Sequence, residues 1–263
     1  MKTSILTLFL SIVVLVSGCG NSDKTQSETP SVAVEEKTLA ILVDGSGTYS
    51  RKSSTQSEQA QAFFDQGLRF AWGFYFPESI ASYQQAALHD PEHPMPYWGM
   101  AHAMGPNPNS RYGQMPDDPK GEGLKAIKKA IELIEKAEPL EAELINALYI
   151  LYDQDSIPDA SERDSAYLAA MRKINKKHPN DPDVALFIGL ELLEQNDDAG
   201  LAQLNTARDR PRLLVEAANA GYNYLSEQGR EQEAIEWWNE SVKLYEIYSE
   251  GRTDWEGQTL IAK

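Results

Sequence analysis

Two short turns constrain this chain more than any other feature: Asp90-Pro91-Glu92-His93-Pro94 and His178-Pro179-Asn180-Asp181-Pro182. Each holds two prolines. The first disfavours helix in the residue before it; the second, lacking an N–H, suits the opening turn of a new helix. Each turn therefore closes one helix and opens another. The residues between keep helical spacing. Phe63, Phe64, Gly67, Leu68, Phe70, Ala71 and Trp72 fall at steps of three and four within Gln59–Tyr75. Pro77 opens a second helix, and Pro94–Met104 reads as a third. The proline-rich stretch 105–119 is a long loop. Further helical pattern covers Gly121–Ala137, a helix opened by Pro139, one opened by Ser161, Pro182–Leu193 and Gly200–Arg208. Arg212–Glu227 and Glu231–Ser249 form a last pair around Gly229. The spacing predicts about ten helices and almost no strand. The apolar run Leu39–Val43 lacks a partner strand and is expected to lie extended across the domain edge.

Helix pairs alone cannot bury their apolar faces, so the pairs must stack. The pattern resembles tetratricopeptide (TPR) repeats, helix–turn–helix units of about 34 residues. Counting Ala60 as position 1, Phe63, Gly67, Phe70, Ser79, Tyr83, Ala86 and Pro91 occupy consensus positions 4, 8, 11, 20, 24, 27 and 32. A second unit follows with Tyr97, Met100, Ala101 and Met104, and the register resumes at Pro182 with Ile188, Gly189 and Leu192. The resemblance implies an all-α α-solenoid of stacked antiparallel helix pairs over 57–250, with residues 251–263 as a tail. Residues 45–195 also resemble a group of bacterial TPR proteins, through Phe64-Asp65-Gln66-Gly67-Leu68, Tyr97-Trp98-Gly99 and Gly105-Pro106-Asn107-Pro108-Asn109. That likeness implies fold more than function. Tyr75-Phe76 and His93 depart from the group's pattern.

The start of the chain reads as an address. A basic opening and an apolar run Ile5–Val16 form a secretory leader over 1–18, shorter than the roughly 20 residues a membrane span needs. Val16-Ser17-Gly18-Cys19 resembles a bacterial lipobox, which implies cleavage before Cys19 and a lipid on its thiol. Cys19 is the sole cysteine, which excludes an intramolecular disulfide framework. Residues 19–56 are then expected to be the lipidated Cys and a flexible tether. In a Gram-negative cell the residues after Cys19 favour the outer membrane, with the domain facing the periplasm.

Charge and motifs narrow the function. With 24 Lys+Arg against 40 Asp+Glu, the net charge of −16 argues against nucleic acid and anionic lipid as partners. No nucleophile elbow, zinc-protease motif or phosphate loop is present. No cofactor is expected and no catalytic residue is assigned. His and Met are concentrated between His89 and Met115, a soft-metal palette, but Met100 and Met104 fall at core positions.

In TPR units the first helix lines the concave face. That places Gln61, Phe64, Leu68, Ala71 and Trp72 there, followed by Met95, Trp98 and His102. Either this aromatic surface binds an apolar partner, or the segment Leu39–Tyr49 covers it. Asn107, Asn109 and Arg111 form a second candidate surface in the adjoining loop. The expected role is a non-catalytic protein- or peptide-binding scaffold in the cell envelope. Capture of a glycan or small apolar molecule for uptake is one alternative; a metal-binding or enzymatic role is another.

Overall fold

A computed structural model describes residues 38–105, 115–208 and 210–248, with the side chains of 211, 212, 247 and 248 left aside. The leader, Cys19, residues 20–37, the tail 251–263 and the candidates Asn107, Asn109 and Arg111 lie outside the described residues.

Among the described residues there are ten α-helices and no strand. They are α1 (Glu58–Trp72), α2 (Phe76–His89), α3 (Pro94–Met104), α4 (Pro119–Glu132), α5 (Pro139–Tyr152), α6 (Ala160–Lys177), α7 (Pro182–Glu194), α8 (Ala199–Arg208), α9 (Pro211–Glu227) and α10 (Glu231–Tyr248). The local chemistry accounts for their starts. A proline occupies the first turn of α2, α3, α4, α5, α7 and α9. Ser57, Asp118, Asp159 and Asp181 cap α1, α4, α6 and α7, accepting from backbone N–H groups at 2.9–3.1 Å. Each such cap is worth about 1 kcal/mol.

Each helix packs on the next, and α1 also meets α3, α3 meets α5, and α7 meets α9. That is the contact pattern of a solenoid of antiparallel pairs, first helices lining one face and second helices backing them. Between the third and fourth pairs the join runs through a separate apolar cluster of Leu144, Ala147, Met171, Ile174, Val184 and Ile188.

Close approach is set by glycine. The Tyr83 ring, fully buried on α2, lies between Gly67 on α1 and Gly99 on α3. A Cβ added at Gly67 would stand 2.6 Å from a ring carbon, and one at Gly99 2.5 Å. The device recurs. A Cβ added at Gly189 on α7 would stand 2.7 Å from Leu204 on α8, and one at Gly221 on α9 would run into the Trp237 ring on α10. Gly123 on α4 receives the Tyr152 hydroxyl, which donates to the Ala101 carbonyl at 2.6 Å. Gly67 and Gly189 stand at the repeat's small-residue position; Gly99 does not, and sequence reading passed over it.

Three expectations change. Residues 38–56 are not part of the tether expected over 19–56: they run extended along the domain, as expected for Leu39–Val43 alone, and bury Tyr49 and Ser53 in it. The helix expected to Ala137 ends at Glu132 and continues as a 3-10 turn over 134–136. Lys136 pairs with Glu92 at 2.6 Å, and Glu132 with Lys129. Phe70 is half-buried, edge-on to Tyr75, rather than in the core.

Gly67→Ala tests the glycine contact. Alanine is the better helix former by about 1 kcal/mol, yet the overpacked ring is expected to cost more, leaving a net loss of about 1–2 kcal/mol. A lowered urea midpoint is the expected result; an unchanged or raised one shows that the Tyr83 ring yields.

Candidate functional site

The polar face of α1 holds the extended segment in place. Gln61, Asp65, Gln66 and Arg69 carry side chains that bond its backbone. Gln66 accepts from the Val43 N–H at 2.7 Å and donates to the Ile41 carbonyl at 2.9 Å. Arg69 donates to the Tyr49 carbonyl at 2.9 Å, and Asp65 accepts from the Arg51 N–H at 3.0 Å. Gln61 donates to the Arg51 carbonyl and accepts from Ser53 N–H, both at 2.9 Å. Farther along, Ser54 N–H donates to Glu141 on α5, and the Thr55 hydroxyl donates to Asp90 after α2. This segment is a strap across three helix pairs.

At its centre the strap reaches α7. Arg51 forms a two-point ion pair with Asp181 at 3.0 and 3.2 Å and donates to Asp183 Oδ2 at 2.6 Å. The Tyr49 hydroxyl donates to the same Asp183 oxygen. Burial raises the Tyr49 phenol far above its usual range, and the Asp183 charge adds to this. Burial works against the Arg51 charge, but Asp183 and Asp181 outweigh it and keep the guanidinium protonated. Burial likewise pushes the Asp183 carboxyl up, against the pull of Arg51 and Tyr49.

Beside this cluster a cavity of about 70 Å³ opens on the face made by the first helices. Leu68, Ala71 and Trp72 of α1, Trp98 and His102 of α3, and Leu144 of α5 line it. Tyr167 and Met171 of α6, Asp183, Val184 and Phe187 of α7, and Arg51 of the strap complete the wall. His102 stacks on Trp98, ring centroids 5.3 Å apart and planes 17° apart. Burial lowers the His102 pKa, holding the ring neutral. Three buried polar atoms on this wall lack a hydrogen-bond partner: Trp98 Nε1, His102 Nδ1 and Asp183 Oδ1.

The structure thus brings together five of the residues expected on the concave face, Leu68, Ala71, Trp72, Trp98 and His102, around one cavity. Phe64 is withdrawn from it. Its side chain is fully buried, with its ring against Tyr83 and His93. Gln61, also expected on the concave face, holds the strap instead. The strap does not fill the cavity; it supplies one edge through Arg51. Sequence reading missed Arg51, Tyr167, Met171, Asp183 and Phe187. One signal was present: Gln61, Asp65 and Arg69 recur every four residues beside the apolar face of α1, a polar stripe that called for a backbone partner.

The histidines do not converge. His89 stacks on Phe63, His93 meets Ser53 and Ser54, and the described residues contain no group of three His, Cys, Asp or Glu able to hold a metal. Asp198, exposed before α8, accepts from Tyr224 at 2.7 Å and from Arg230 at 2.7 and 2.8 Å. A wider cleft of about 300 Å³ beside α4 is lined by charges of both signs, and its Arg163 is committed to backbone carbonyls. No described helix is long and apolar enough to cross a membrane.

No protein-family model and no curated protein matches the chain. Among solved structures, YrrB, a TPR protein with an unusual peptide-binding site, is similar with a TM-score of 0.35 at 12% identity, covering 72% of this chain and 88% of that one. The fold assignment rests on the helix pairs themselves.

Arg51→Met leaves Asp181 and Asp183 buried without their cation, which is expected to cost about 3–5 kcal/mol and to speed tryptic cleavage after Lys52. Cleavage at the parental rate would show the strap to be held by its other bonds. The neutral His102 sets a pH dependence. Unfolded His102 takes up a proton near pH 6.5, whereas in the fold it does so only at lower pH. The unfolded chain thus binds more protons below that value, so the His102 contribution is intact above about pH 6.5 and lost as the pH falls. Urea unfolding at pH 7.5 and 5.5 should show a smaller difference for His102→Gln than for the parent.

Proposed function

We propose that this protein is a lipid-anchored, TPR-type scaffold of the bacterial cell envelope. It recognises an extended segment of a protein partner without performing chemistry on it. The observation that carries the reading is the cavity between α1, α3, α5 and α7, apolar and aromatic over most of its wall but edged by three unpartnered polar atoms. Unpartnered buried polar groups are costly in a folded core, typically about 1–3 kcal/mol each. A ligand able to satisfy them gains that energy back as affinity and specificity.

Size favours a peptide over a glycan. Benzene occupies an engineered cavity of about 150 Å³, twice the volume found here. A pyranose ring is larger than benzene, so a sugar would have to stay outside, against the partly exposed Trp72 and Trp98. The lipobox-like Val16–Cys19 supports the anchor, and in a Gram-negative cell the outer membrane facing the periplasm is the proposed location.

In-cell photocrosslinking tests this reading. A crosslinker replacing Trp72 is expected to yield a discrete protein adduct, and one replacing the exposed Ile235 is not. Adducts of equal pattern from both positions, or none from Trp72, would count against the scaffold. Palmitate labelling that survives Cys19→Ala would remove the anchor.

A further inference from the structure

The three unpartnered atoms at the cavity differ in kind, and together they specify the ligand. Trp98 Nε1 is only a donor, and Asp183 Oδ1 only an acceptor while the carboxylate is charged. His102 Nδ1 is either, according to tautomer. A ligand that satisfies the edge must therefore present at least one acceptor and one donor next to an apolar group.

Simple charged groups fail this requirement. An ammonium could donate to Asp183 and His102, but it leaves the Trp98 N–H without an acceptor. A carboxylate could accept from Trp98, but it would face Asp183 with like charge. A backbone amide carries one N–H and one C=O on adjacent atoms and satisfies both kinds of site at once. The volume then limits the side chain beside it. A benzene-sized cavity of about 150 Å³ holds six ring carbons; 70 Å³ holds about three, an isopropyl group rather than a ring. The wall of Leu68, Leu144, Met171 and Val184 suits such a group.

We infer that the cavity takes the side chain of a small aliphatic residue, of valine size, in an extended peptide, with that residue's own amide paired to Trp98, His102 and Asp183. The inference rests on the scaffold reading and sharpens it from a protein partner to a residue class. The selectivity is steric above valine size and hydrophobic below it. The Arg51–Asp183 pair belongs to the recognition edge as a positioning element: it occupies Asp183 Oδ2 and leaves Oδ1 without a partner.

The test uses the full chain in detergent micelles with ¹⁵N-labelled tryptophan. Trp98 is assigned as the indole signal missing in Trp98→Phe. The probe is N-acetyl-valine methylamide. It is expected to move the Trp98 N–H signal saturably, while leaving that of Trp237, which donates to Ala218 in the core, in place. N-acetyl-alanine methylamide, two carbons smaller, should need roughly fifteenfold more. Leu68→Phe, which fills the cavity, should abolish the shift; an unchanged Trp237 signal certifies that variant as folded. Isobutylammonium, methyl glucoside or N-acetyl-phenylalanine methylamide saturating at equal or lower concentration would overturn the assignment. So would a shift that persists in Leu68→Phe, or no shift with any probe, which would mean the three atoms meet ordered water only. The two readings fail separately. A discrete Trp72 crosslink with no response to the valine probe sinks the residue class and leaves the scaffold. The reverse pattern, response without a crosslink in cells, sinks the scaffold.

Discussion

The rest of the molecule depends on one contact: the Tyr83 ring held between Gly67 and Gly99. With no Cβ on either side, three helix backbones approach across a single aromatic plate. That spacing brings α1 and α3 close enough for Leu68, Trp72, Trp98 and His102 to share one cavity. Any larger residue at either glycine forces the ring outward, because interiors packed to crystal density cannot absorb even one methyl without movement. The same logic at Gly189 and Gly221 extends it along the solenoid, with Leu204 and Trp237 as the inserted groups.

A solenoid built only of such neighbouring contacts would be quasi-one-dimensional. The strap changes that. By bonding α1 through Gln61, Asp65, Gln66 and Arg69, and α7 through Arg51, it joins parts of the chain some 130 residues apart. The ion pairs involved are desolvated, so their net contribution to stability is small compared with their geometric effect. What they fix is position: α7 is drawn against the first pairs, and the cavity closes on its fourth side. One committed and one unpartnered oxygen on the Asp183 carboxylate follow from that geometry. The stored cost of the unpartnered atoms belongs to the same site, which is where such costs concentrate in binding proteins.

Sequence and structure part company where local rules end. Helix starts were legible because proline, Asp and Ser act within a turn of the chain: Pro94, Pro139 and Pro182 each open a helix. The end of α4 was not, because the extra turn at 134–136 keeps an apolar spacing while tightening its hydrogen bonds. Half of the site was legible in the same way. Trp72 and Trp98 followed from repeat register, which depends only on period. Arg51 and Asp183 did not, since no local rule relates residues so far apart. Phe64 was misplaced because register assigns a face, and whether that face stays open depends on what else packs on it.

The sequence by itself determined the helical class, the pairing of helices and the small residues that let the pairs approach, for these are set by periods of three to four residues and by single-residue sterics. Only the tertiary structure decided that residues 38–56 become a strap rather than a tether, that one carboxylate is half-satisfied, and that the cavity beside it measures about 70 Å³. Those outcomes come from burial and from charges meeting across long loops of chain, where the energy depends on the assembled environment and on no single stretch of residues.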